Sequence, residues 1–82
     1  MLNISYSENI LKAISKIRDK TEKEKIKKQI LRIIKNPEIG KPMRYARKGT
    51  RELYVGSYRL AYSYLKNENK IILLDFYHKD EQ

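Results

Sequence analysis

The stretch from Arg51 to Lys79, RELYVGSYRLAYSYLKNENKIILLDFYHK, constrains the fold more than any other part of the chain. Two runs rich in β-branched and aromatic residues are joined by Gly56-Ser57, and a third follows Asn67 to Asn69, so the pattern predicts three consecutive antiparallel strands. Side chains alternate across a strand. In the central run Tyr58, Leu60, Tyr62 and Tyr64 therefore share one side, and Arg59, Ala61 and Ser63 share the other. The large residues need a covering layer, which leaves Arg59 on an open face above small neighbours. The same alternation in the last run assigns Ile72, Leu74 and Phe76 to the core. It puts Ile71, Leu73, Asp75 and Tyr77 on the face of Arg59, with Lys79 just beyond.

The covering layer is written in the first half of the chain. Leu2, Ile4 and Tyr6 alternate with Asn3 and Ser5, as in a short strand with one buried face. Ser7 then caps a helix whose stripe is Ile10, Leu11, Ile14 and Ile17, ending near Asp19 and Lys20. Thr21 and Glu24 form a capping-box pattern that starts a second helix, with Ile26, Ile30, Ile33 and Ile34 on its apolar stripe. Pro37 stops it, because proline disfavours helical backbone in the residue before it. So short a link between the helices implies an antiparallel hairpin. Residues 37–42 form a linker, and Met43 to Arg47 is read as a strand or an extended arm. The expected architecture is α+β: a two-layer sandwich of order β-α-α-β-β-β, with room for one more strand, its helical hairpin packed on one face of an antiparallel sheet. Residues 1–82 fit a single domain of this kind.

Charge narrows the function. Nineteen Lys and Arg against ten Asp and Glu give a net charge of +9, a field that favours polyanions or an acidic partner protein. In residues 1–40 ten bases are mixed with five acids, as on a solvated helix surface. Lys41, Arg44, Arg47, Lys48 and Arg51 follow with no acid among them and with Tyr45 interleaved. That segment suits a nucleic-acid backbone, although a solvated basic loop has the same composition. The absence of cysteine rules out disulfides and thiolate zinc sites and suits the cytoplasm. No apolar run is long enough for a signal peptide or a membrane span.

The candidate chemistry lies on the meander. Arg59 is either paired with Asp75 across the sheet or kept available for a phosphate, whose oxygens match a guanidinium fork. His78 is the sole histidine, the residue type that titrates near neutrality, and Lys79 beside it offers another phosphate contact. Tyr77 can stack on a base or serve as a rim aromatic, and Glu52 reads best as an ion-pair partner for Arg51 or Arg59. The sequence has no glycine-rich phosphate loop and no metal-ligand cluster. Any catalysis is therefore expected to need neither metal nor cofactor.

The order βααβββ and the run Glu52-Leu53-Tyr54-Val55-Gly56-Ser57-Tyr58-Arg59-Leu60-Ala61-Tyr62 resemble the RelE/ParE superfamily of type II toxins, which carry a similar pattern, ELR-V-G-x-YR-x-x-Y. Residues 70–79, KIILLDFYHK, are similar to that superfamily's last strand and basic ending. Asn36-Pro37 followed by Gly40-Lys41-Pro42 resembles its link between hairpin and sheet. The resemblance implies a cytoplasmic toxin neutralised by a cognate antitoxin. In the RelE branch such a toxin cleaves mRNA on the ribosome through attack of the 2′-hydroxyl on the adjacent phosphate. In the ParE branch the same fold inhibits DNA gyrase without cleaving anything. By position, Arg59 would stabilise the transition state and Lys79 or His78 would supply the second basic group; Arg44, Arg47, Lys48, Arg51 and Tyr77, singled out above by residue type, would then be the RNA contacts. Where many ribonuclease members have basic residues before the glycine turn, this chain has Glu52 and Tyr54. The general base stays open among His78, Glu52 and Tyr77.

Overall fold

A computed structural model describes residues 2–44 and 49–81. Five strands form one sheet in the order β1-β5-β4-β3-β2, with two helices packed on one of its faces. The strands are β1 (Asn3–Tyr6), β2 (Lys41–Pro42), β3 (Arg51–Val55), β4 (Tyr58–Leu65) and β5 (Lys70–His78), and the helices are α1 (Glu8–Ser15) and α2 (Lys20–Lys35).

The meander forms as its sequence dictates. Gly56 takes φ +60° at the first position of the two-residue β3–β4 loop, where a II′-type hairpin turn needs glycine. That loop fixes the register Val55↔Tyr58 and Tyr54↔Arg59. A single 3-10 turn, Lys66–Glu68, leads into β5 through Asn69 in left-handed conformation, which asparagine tolerates. The sheet is mixed rather than antiparallel throughout, because β1 runs parallel to β5 at the edge. The further strand is only Lys41–Pro42. Met43 next to it donates its N–H to Thr50 O, and most of the arm expected over residues 43–47 lies outside the described residues.

The helices differ from expectation at their ends. α1 stops at Ser15, and Asp19 rather than Thr21 caps α2, its carboxylate accepting the Thr21 N–H at 2.8 Å. Ser7 caps α1 as expected, accepting from Ile10 N. Ile10, Ile26 and Ile33 reach the core, whereas Leu11 points outward and is 54% exposed. At about 100° per residue Leu11 lies well round the helix from Ile10 and Ile14, so one narrow stripe cannot bury all three, and Leu11 is the one left over.

β5 contains a bulge. Ala61 faces Asp75 while Tyr62 faces Leu73, so Leu74 is an extra residue. An inserted residue reverses the alternation on one side of it. The expected burial of Phe76 holds, but Ile71 and Leu73 lie in the core and Ile72 and Leu74 do not. On the covered face these residues pack with Val55, Leu60, Tyr62 and the three helix isoleucines.

Tyr62 ties the linker to that core. Its ring is fully buried, and its hydroxyl donates to Pro37 O at 2.7 Å and accepts the Gly40 N–H at 2.8 Å. Burial raises the phenol's pKa, opposed by the Gly40 hydrogen bond and the Arg51 charge.

Candidate nucleic-acid interface

The open face is built from the register of three strands. Tyr54 on β3, Arg59 on β4 and Tyr77 on β5 stand side by side, because Tyr54 pairs with Arg59 and Arg59 with Tyr77. The next row holds Glu52, Ala61 and Asp75. Ala61 has no bulk, and the Tyr77 hydroxyl donates across it to Glu52 Oε2.

Arg59 curls toward the hairpin turn. Its Nη1 donates to Tyr58 O at 3.0 Å and to Gly56 O at 3.3 Å, and its guanidinium lies 3.8 Å from the centre of the Tyr54 ring. Neither contact is with Asp75, whose Oδ1 accepts the Phe76 N–H at 2.8 Å. A guanidinium has five N–H donors. Those beyond Nη1 are available to a ligand in the groove of about 540 Å³ that Arg59 and Tyr54 share with Lys41, Met43, Arg44 and Glu52. Glu52 is buried at 5% exposure beneath this groove.

The expected site residues that are described divide among four places. Arg59, Arg44 and Tyr77 belong to the open face. His78 does not share it: two residues beyond Phe76, its ring packs edge-on against Tyr58 at 5.2 Å, and Tyr58 stacks on Phe76 on the covered side. There it lines a second groove of about 720 Å³ with Lys12, Lys16, Arg18 and Tyr58. Its Nδ1 lies 3.2 Å from Asp80 N and 3.4 Å from Asp80 Oδ2, so that nitrogen is turned toward the terminal turn. Lys79 is exposed in a final 3-10 turn, Lys79–Glu81. Its N–H donates to Ser57 O, so the loop that anchors Arg59 also anchors Lys79.

Arg51 has a structural engagement. Its Nη1 donates to Glu38 O at 2.9 Å and Gly40 O at 2.8 Å, holding the linker from the covered side. The expected pairing of Glu52 with Arg51 therefore fails, since neighbours on a strand point to opposite faces. Arg59 likewise makes its contacts elsewhere. Arg47 and Lys48 lie outside the described residues. Tyr54 is the member of this surface that sequence reasoning passed over, although a two-residue loop at 56–57 already implies its pairing with Arg59.

A small α+β fold whose helices cover one sheet face and leave basic and aromatic residues on the other describes the class of protein. The chain belongs to the ParE toxin family of type II toxin–antitoxin systems, parDE, whose family model matches residues 4–82, and so to the RelE/ParE superfamily of toxins. Three solved structures share its fold. The intact E. coli RelBE toxin–antitoxin complex contains a chain superposing with TM-score 0.79 at 19% identity, covering 95% of this chain and 96% of that one. The YoeB/ParE toxin from Agrobacterium tumefaciens gives TM-score 0.84 at 13% identity over 94% and 98%. A chain of the YoeB–YefM complex from Staphylococcus aureus gives 0.78 at 21% over 95% and 97%. No curated protein matches the chain significantly in sequence. No helix among the described residues is long and apolar enough to cross a membrane.

Proposed function

We propose that this toxin is a ribosome-dependent mRNA endoribonuclease, held inactive by a cognate antitoxin. The observation that carries the reading is Arg59, a guanidinium held by two carbonyls and an aromatic ring on the sheet face away from the helices, with Arg44 in the same groove. In the proposed reaction the 2′-oxygen bonds to phosphorus and the bond to the 5′-oxygen breaks, leaving a 2′,3′-cyclic phosphate and a 5′-hydroxyl. The 2′-proton leaves to a base and the 5′-oxygen gains one. Arg59 stabilises the charge that builds on the non-bridging oxygens. Lys79, anchored at the same loop, supplies a second cation. Arg47 and Lys48 extend the basic approach.

The test is a defined mRNA on programmed ribosomes, with cleavage expected at stoichiometric toxin; mRNA that stays intact removes the enzymatic reading. The E. coli RelBE neighbour and RelBE2 from Mycobacterium tuberculosis were solved as toxin–antitoxin complexes. A cognate antitoxin is accordingly expected to raise the melting temperature in a concentration-dependent way, as ligands of a native state do.

A second reading, non-enzymatic inhibition of DNA gyrase, is favoured by two observations. The family matched is that of ParE toxins, and the one imidazole faces away from Arg59. Supercoiling by gyrase that proceeds unhindered in the toxin's presence eliminates it.

A further inference from the structure

We infer that Tyr54 is the platform on which a base flanking the scissile phosphate stacks, so that one aromatic ring holds both the base and the arginine. The inference rests on the endoribonuclease reading above and assigns a specificity element to the same face. Tyr54 is 55% exposed, the most exposed of the large apolar or aromatic side chains among the described residues, and it lines the groove that contains Arg44 and Arg59. A solitary exposed tyrosine on a sheet needs no function. This one has the Arg59 guanidinium over its ring at 3.8 Å, and Arg59 in turn is tethered to Gly56 O and Tyr58 O. The pair is thus a preformed, flat layer of cation and ring.

The β2–β3 ladder begins at Lys41, opposite Glu52, and so does not extend to Tyr54. With the guanidinium against one face of the ring, Tyr54 keeps 55% of its surface exposed and lines the groove. A nucleobase can lie there, because every base has a π-face and stacks on tyrosine without regard to its hydrogen-bonding edge. A phosphate next to that base would then fall beside the arginine that the same ring orients. The Tyr77 ring, one strand further on, is less suited to this role because its hydroxyl is drawn down to Glu52.

Single-turnover cleavage of mRNA on programmed ribosomes tests this, comparing wild type with Tyr54→Phe and Tyr54→Leu, on ordinary mRNA and on mRNA abasic at either nucleotide flanking the cut. Tyr54→Phe keeps the ring and is expected to cleave at nearly the wild-type rate. Tyr54→Leu keeps apolar bulk and is expected to lose roughly ten- to a hundredfold, the range that stacking on an aromatic supplies. At one flanking position the abasic mRNA should cost the wild type a similar factor and cost Tyr54→Leu nothing further, since interactions of one contact are non-additive. Losses that multiply, or a Leu variant as fast as wild type, overturn the role of Tyr54 and leave the endoribonuclease reading standing. A wild type that leaves ordinary mRNA intact overturns both together.

Discussion

Arg51 and Arg59 belong to one hairpin and carry the same side chain, yet they stand on opposite faces of the sheet and meet different surroundings. Arg51 reaches under the linker and satisfies two carbonyls there, beside a fully buried tyrosine. Arg59 turns back on its own loop and lies on an exposed ring at the edge of a groove. The covered face therefore uses its arginine to close the fold, and the open face sets its arginine at the edge of a groove. Polar atoms on the covered side have fixed partners inside the chain, which is the condition for burying them at all.

That contrast predicts where function and stability separate. Arg59→Ala is expected to abolish toxicity, with mRNA cleavage falling on the order of 100- to 1000-fold, as when one oriented donor to a developing oxyanion is removed. Urea unfolding should show a change within about 1 kcal/mol, since an exposed cation–π contact contributes no more than that. Toxicity that survives, or a large loss of stability, breaks the comparison from the open side.

On the covered side, a Cβ added at Gly40 would sit 2.7 Å from the Tyr62 ring and hydroxyl and 3.0 Å from Arg51 Cβ. Tyr62 is packed on all sides, so Gly40→Ala is expected to cost about 1–3 kcal/mol in urea unfolding, the usual range for overpacking. Cleavage per folded molecule should stay near wild type.

Tyr62→Phe leaves a buried Gly40 N–H without its acceptor, and a loss of about 1–2 kcal/mol is expected. Its pH dependence sharpens the point. Because burial raises the folded-state pKa, the contribution of Tyr62 is complete below the ordinary tyrosine value of about 10 and is lost as pH rises through the folded value. Wild type should lose stability in that alkaline window, and Tyr62→Phe should lack this component. Alkaline melting curves that run parallel would show that the phenol does not carry it. The smallest effect is expected for Arg51→Ala, about 1 kcal/mol from the two carbonyl contacts, with cleavage unchanged.

Much of this arrangement was legible from local pattern. The Gly56-Ser57 loop sets the β3–β4 register, and alternation from Tyr58 onward puts Arg59 on the bare face, because both depend only on neighbouring residues. The isoleucine stripes and the Asn36-Pro37 stop likewise gave the two helices and hence the covering layer. Tyr54 was accessible by the same reasoning, as the residue facing Arg59 across the loop.

Other features depend on which strands meet. The bulge at Leu74 exists only where β5 pairs with β4, and nothing in the run KIILLDFYH distinguishes one alternation from its reverse, since both phases are apolar. Through that bulge the core takes Ile71 and Leu73 as well as Phe76. Beyond it His78 falls on the side of Tyr58 while Tyr77 stays beside Arg59. The parallel pairing of β1 with β5 and the grip of Arg51 on the linker are decided the same way, by contacts between segments far apart in the chain. The amino-acid order by itself settled the helices, the hairpin and the side on which Arg59 stands, because those follow from periodicity. Tertiary packing alone determined the phase of β5 and which basic groups share a face, because a one-residue shift between strands costs little locally yet reverses every side chain beyond it.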